Sequence, residues 1–170
     1  ASNRIHLVGN VMIDTLVRLL PHATMPSIEG LPDGDEYALA TLHRPANVDD
    51  RTSVYDLLSA LNDIARRIPI VFPIHPRTRQ RFEEFASLHG NNGRIHFIDP
   101  QGYLEFLALQ RNARLVITDS GGIQEETTYL GVPCLTLREN TERPVTVDVG
   151  TNTLIGRDLD LLRQKTTEIL

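Results

Sequence analysis

In TDSGGIQEE, Thr118 to Glu126, a serine and two adjacent glycines precede a pair of glutamates, directly after the apolar run ARLVI. A glycine inside a helix costs roughly 1 kcal/mol relative to alanine, so two in succession call for something close to the backbone. A strand that leads straight into a helix supplies a reason. The first turn of a helix has unpaired N–H groups and a partial positive charge, and it holds an anion without any lysine or arginine. Gly121 and Gly122 are expected to let a phosphate reach those groups, with Ser120 adding a hydroxyl. Glu126 follows Gly122 by one turn on the same face, where a carboxylate accepts two hydroxyl hydrogen bonds from a ribose, while Glu125 points elsewhere. The plainer reading makes Ser120 an ordinary cap and the glutamates solvated charges, but capping leaves the double glycine unexplained.

Three more stretches carry chemistry. ATLHRPAN ends an apolar run with His43 and Arg44, and Pro45 stops the strand and keeps Arg44 out of helix. His43 there suits either a phosphate contact or acid/base work near neutral pH. IHPRT repeats the device with His75, Pro76 and Arg77. The connection from Arg138 to Asn152 is long for a compact domain and holds Thr141-Glu142-Arg143-Pro144 at its centre. Arg143 is expected to clamp a diphosphate while Glu142 orients it.

Such residues need elements to position them. Apolar runs (EYALATL, IVFPIH, RIHFI, RLVITD, PCLTL, TNTLI) alternate with amphipathic ones (SVYDLLSALNDIARRI, TRQRFEEFASLH, YLEFLALQRN, SGGIQEETTYL, DLDLLRQKTTEIL). This alternation predicts an α/β fold, a Rossmann-like parallel sheet with helices on both faces. Ligands on such sheets sit at the carboxyl ends of strands, which is where His43, Arg44, His75, Ser120 and Arg143 fall. Residues 1–24 are expected to form a connector containing a helix from Asn10 to Leu20. Residues 25–36, rich in Pro, Gly and acids, read as a linker, and 37–170 as the domain proper. A sharp turn is expected at HGNNG, and both ends of the sequence are expected to be cuts in a longer chain.

Composition removes several alternatives. Acidic residues outnumber basic ones 22 to 17, for a net charge of -5, and no basic patch stands out, so no nucleic-acid partner is expected. Arg66 and Arg67, like Arg77, Arg79 and Arg81, read as solvated surface. Cys134, alone in VPCLTL, reads as core, and six scattered histidines offer no metal-ligand spacing. No run approaches the ~20 residues of a membrane span. A cytoplasmic protein without metal, cofactor or membrane partner is the expectation. Neither GxxxxGK[ST] nor GxGxxG occurs, which counts against an NTPase and a dinucleotide enzyme and leaves a nucleoside diphosphate or its sugar ester.

With these motifs in hand, the chain resembles the C-terminal nucleotide-binding domain of the UDP-N-acetylglucosamine 2-epimerase family. GNVMIDTL is similar to the family's connector helix, TLHRPAN to its HRxEN motif, IHPRT to its HPN-type turn, and DSGGIQEE and TERP, followed by GTNTLIG, to its two most specific motifs. The resemblance implies one half of a GT-B-like fold and an isomerase that interconverts UDP-GlcNAc and UDP-ManNAc by eliminating and re-adding UDP through an unsaturated, glycal-type sugar. It implies that His43 and Arg143 contact the diphosphate, with His43 supporting catalysis, and that Ser120, Gly121 and Gly122 bind phosphate. Glu126 would take the ribose, and the uracil would lie near Gln101 to Tyr103. The family's main acid/base carboxylates belong to an N-terminal domain outside this sequence, and the complete protein is expected to be a homodimer that makes a precursor of cell-envelope polysaccharide. Many members bind a second UDP-GlcNAc as activator through the HRxEN glutamate, the arginine and the HPN histidine. Here Arg44 and His75 are present, but Ala46 replaces the glutamate. A GT-B glycosyltransferase and a non-enzymatic nucleotide-sugar module remain the alternatives.

Overall fold

The computed structural model describes residues 4, 6, 9–32, 34–75, 78–79, 82, 84 and 93–170. Six strands, β1 Ala38–Thr41, β2 Ile70–Pro73, β3 Ile95–Ile98, β4 Leu115–Thr118, β5 Cys134–Thr136 and β6 Asn152–Leu154, form one sheet in the order β3-β2-β1-β4-β5-β6. Every pairing is parallel. The strand order reverses between β1 and β4, and a Rossmann-like sheet opens its ligand crevice at the carboxyl ends of those two strands. His43 and Arg44 leave β1 at that crevice, and Asp119 and Ser120 leave β4.

Short apolar runs become strands here because both faces of the sheet are covered. Ala38, Ala40, Ile70, Phe72, Leu115 and Ile117 point to one side, into a core shared with helices α3 Arg51–Ala65 and α7 Leu159–Ile169. Leu39, Val71 and Val116 point to the other, against Leu109 of α4 Tyr103–Asn112 and Ile123 of α5 Gly121–Leu130. Two short helices, α2 Pro45–Val48 and α6 Val145–Asp148, occupy the loops after β1 and β5. Helix α6 thus lies within the connection read from sequence as a long loop. Cys134 is fully buried in β5, and burial pushes its thiol up to about 11, which leaves it inert as a nucleophile.

The helix starts follow local chemistry. Asp50 caps α3 by accepting from Ser53 N–H at 2.8 Å, and Asp158 caps α7 by accepting from Leu161 N–H at 2.9 Å. Asn10 does the same for α1 Val11–Leu19, accepting from Met12 N–H at 3.0 Å. Helix α5 ends at Gly131, whose φ of 73° is the left-handed conformation that favours glycine. Helix α1 rests on α5 with Leu16 fully buried, and a 3-10 turn, Leu20–His22, follows it. The segment expected to be a linker buries Ile28 against the sheet. The TRQRFEEFASLH stretch, Pro76, Arg77, Arg81 and the HGNNG turn lie wholly or largely outside the described residues. Arg79 pairs with Asp99 at 3.0 Å, and Arg66 lies 4.0 Å from Asp63. No helix among the described residues is long and apolar enough to cross a membrane, and these residues contain no cluster of metal-ligand type.

Candidate functional site

Helix α5 begins at the crevice without a side-chain cap. Ser120 occupies the N-cap position in extended backbone (φ -86°, ψ 134°), yet its hydroxyl makes no capping bond, and its own N–H donates to Thr118 Oγ1 at 3.1 Å. The hydroxyl and the first-turn N–H groups are therefore left for something else.

The loop after β1 is tied to this helix start by Asp119, a residue to which the sequence reading gave no role. Asp119 is 0% exposed. Its carboxylate accepts from the N–H of His43 (3.1 and 3.2 Å), the N–H of Arg44 (2.9 Å) and Asn47 Nδ2 (2.9 Å). His43 Nδ1 lies 3.0 Å from the same carboxylate while its side chain is 63% exposed. Arg44 Nε donates to the Asp119 carbonyl at 2.9 Å. His43 and Arg44 are thus held over the N-terminus of α5 by one buried group. Its partners stand 72 to 76 positions earlier in the chain, so no local pattern marks the pairing.

The loop after β5 closes the other side. Gln124, also fully buried, donates to the Ser120 carbonyl at 3.1 Å and accepts from Thr141 Oγ1 (2.6 Å) and Asn152 Nδ2 (3.1 Å). Thr141 Oγ1 accepts from Arg143 N–H at 2.9 Å, and Thr146 Oγ1 donates to the Arg143 carbonyl at 2.7 Å. This buried network fixes Thr141 to Thr146 against α5. It also changes the expected pairing of the charges, because Glu142 does not orient Arg143. Glu142 instead pairs with Arg138 Nη2 at 2.7 Å, and that hydrogen bond holds its carboxyl down to about 2. Arg143 Nε lies 3.3 Å from Glu125 Oε2, and neither atom has hydrogen-bond geometry to a partner among the described residues. Glu125 also accepts from Asn10 Nδ2 at 2.8 Å, which joins the cap of α1 to the site. Arg138 Nη1 is buried without a partner.

The glycine pair has protein neighbours. A Cβ on Gly121 would meet Glu142 Oε1 at 2.5 Å, and one on Gly122 would meet Met12 Cε at 2.8 Å. Both neighbours are the ends of flexible, exposed side chains, which can move aside, so close packing alone does not require either glycine.

Glu126 stands farther along α5, 6% exposed. It accepts from Tyr103 Oη at 3.0 Å and from Gln110 Nε2 at 2.7 Å, so α4 and α5 present Tyr103 and Glu126 together. Burial, then the nearby Glu126 charge, pushes the Tyr103 phenol up to about 12. Gln101 turns its amide to the Asp99 carbonyl at 2.7 Å. His75 is exposed beyond β2, and its carbonyl accepts from Thr78 and Arg79 N–H. Ala46 lies exposed on α2 at the rim of a separate cleft of ≈ 230 Å³, bordered also by Asp56, Leu137 and Arg157.

The strand order and the uncapped start of α5 define a Rossmann-like domain with a helix N-terminus open at its switch point. Across residues 1–170 the sequence matches the UDP-N-acetylglucosamine 2-epimerase family, and the chain belongs to that family. It is 44% identical over 167 residues to the UDP-N-acetylglucosamine 2-epimerase of Methanococcus maripaludis, covering 93% of this chain and 46% of the relative. It is 41% identical over 156 residues to the UDP-2,3-diacetamido-2,3-dideoxy-D-glucuronate 2-epimerase of Pseudomonas aeruginosa, covering 91% and 42%. A crystal structure of the Methanocaldococcus jannaschii UDP-GlcNAc 2-epimerase in complex with UDP-GlcNAc and UDP aligns with 99% of this chain and 48% of its own, at 41% identity and a TM-score of 0.83. The chain spans about half the length of the curated relatives it matches.

Proposed function

We propose that this chain is the UDP-binding half of a UDP-N-acetylglucosamine 2-epimerase, which interconverts UDP-GlcNAc and UDP-ManNAc. In the forward step a base removes the C2 proton and the C1–O bond breaks, leaving its electron pair on UDP. Re-addition of UDP with a proton on the opposite face of C2 gives the epimer. The base belongs to the complementary half. This chain's part is to hold the leaving group, where positioning and charge stabilisation lower the barrier.

One observation carries the reading. Ser120 sits at the start of α5 without capping it, between His43 and Arg44 on one side and the Arg138–Arg143 loop on the other. In this assignment the diphosphate lies on Ser120 and the first-turn N–H groups at Gly121 and Gly122, with His43 and Arg143 as its cationic contacts. Glu126 receives the ribose, because a carboxylate with two donors can accept further hydroxyls. Tyr103 and Gln101 border the uracil. Arg44 and His75 are the residues left for a second nucleotide sugar, with Ala46 in the place of a carboxylate.

The identity of the sugar has a second reading. Two relatives named for different UDP-sugars match this chain at 44% and 41% identity. That similarity supports a UDP half shared between sugars, with the sugar itself read by the other half of the cleft. Calorimetric titration of the chain with UDP tests the binding role. Measurable binding, weakened by about 0.5–1.5 kcal/mol in Ser120→Ala, is expected for loss of one neutral hydrogen bond. A chain that fails to bind UDP overturns the reading. In the complete protein, exchange of deuterium into C2 separates an epimerase from a glycosyltransferase using the same donor.

A further inference from the structure

We infer that Asp119 fixes the protonation state in which His43 meets an anion: it keeps a proton on Nδ1, so that Nε2 takes up a second proton from solvent when a diphosphate arrives. This rests on the UDP-binding reading above and adds a proton-linked step to it.

The geometry sets the tautomer. The oxygens of the fully buried Asp119 carboxylate accept from the N–H groups of His43 and Arg44 and from the Asn47 amide, none of which has a lone pair to offer in return. The fourth neighbour, His43 Nδ1 at 3.0 Å, meets the same accepting surface and is therefore the N–H side of the ring. In the neutral imidazole this leaves the lone pair on Nε2, which has no protein partner among the described residues. A lone pair facing a phosphate oxygen is repelled. A proton taken from solvent turns that contact into a charge-assisted hydrogen bond, with the imidazolium charge balanced from behind by Asp119.

Other charges of the site act on the same step. Arg44 in the same loop and Arg138 and Arg143 in the loop after β5 oppose an added positive charge, but Arg138 is paired with Glu142 and Arg143 lies beside Glu125, whose charges favour it. His75 stands at the end of the neighbouring strand β2. The incoming diphosphate adds negative charge on the Nε2 side and so favours a proton there, beyond what Asp119 supplies from behind. Asp119 is thus a positioning residue that acts through His43.

Long-range proton–nitrogen spectra of the nitrogen-15-labelled chain identify the His43 tautomer. The Nδ1–H form is expected at a pH where the same spectra show the ring neutral, and the Nε2–H form overturns the inference. At that pH, UDP titrations in two buffers of different ionisation enthalpy are expected to give uptake of about one proton per UDP. His43→Gln is expected to bind UDP more weakly and without uptake. Asp119→Asn is expected to lower uptake toward zero and UDP affinity by about tenfold. If Asp119→Asn does not fold, the wild-type and His43→Gln arms decide. Binding of UDP by the wild type without uptake refutes this inference and leaves the functional reading intact, whereas a chain that binds no UDP refutes both.

Discussion

Glu126 illustrates how a residue's surroundings revise its expected behaviour. Its position one turn past Gly122 suggests an exposed carboxylate whose removal affects only ligand. It is instead buried and receives Gln110 and Tyr103. Glu126→Ala strands the Gln110 amide, whose oxygen already has no partner, so we expect a loss of about 1–3 kcal/mol in urea-unfolding stability. Glu126→Gln keeps the shape and should spare most of that stability, while weakening UDP binding by about 1–3 kcal/mol through loss of charge-assisted bonds. Equal UDP affinity in Glu126→Gln and wild type removes the ribose role. Glu142 makes a different case, because it is 49% exposed and solvent screens its pair with Arg138. Its carboxyl lies at about 2 when folded against the ordinary 4.5, so the pair's contribution is complete above pH 4.5 and disappears as pH falls toward 2. We expect the stability difference between wild type and Glu142→Gln to stay within about 1 kcal/mol and to vanish over that window. A difference that grows on acidification contradicts the sign.

At the scale of elements, the contact between α1 and α5 sets the end of the Met12 side chain against Gly122. Alanine in place of glycine inside a helix gains about 0.5–1 kcal/mol from backbone entropy and propensity alone. At Gly122 the new methyl meets the end of Met12, which must give way. Gly122→Ala should therefore stabilise the chain less in the wild-type background than in Met12→Ala, where the obstacle is gone. A double-mutant cycle on urea midpoints measures the coupling, and additive effects show that α1 does not press on Gly122. The same cycle followed by UDP titration separates packing from ligand access, since an alanine that blocks phosphate does so in both backgrounds.

For the molecule as a whole, the chain covers 46% of the Methanococcus maripaludis relative, and on the function proposed above the other side of the cleft would come from the rest of such a protein. On that proposal the 170-residue chain by itself is expected to bind UDP but not to turn over UDP-GlcNAc, because it would hold the leaving-group side while the base that works at C2 would come from the other half. Saturating UDP should raise the thermal midpoint: a hundredfold excess over Kd stabilises by about 2.7 kcal/mol. Epimerisation of UDP-GlcNAc by the purified chain overturns the division of labour. A midpoint indifferent to UDP overturns the binding role.

Much of the architecture is legible in sequence because its causes are local. Alternating apolar and amphipathic runs specify strands buried on both faces and helices buried on one. Asn10, Asp50 and Asp158 cap helices within three residues of themselves, and Gly131 ends α5 through its own backbone. TDSGGIQEE announces a strand followed directly by a helix, and the motif order identifies the family. The sequence by itself determined those elements, their order and the family. Tertiary structure alone decided the partners: His43 with Asp119, Arg143 with Glu125 rather than the adjacent Glu142, and Tyr103 and Gln110 with Glu126. Helix caps and the apolar patterns of strands are written in neighbours a few residues apart, although strand pairing is not, since Ala38 of β1 pairs with Leu115 of β4. A buried charge or amide must take whichever group the packed sheet brings within hydrogen-bond reach, and that group lies tens of residues away along the chain.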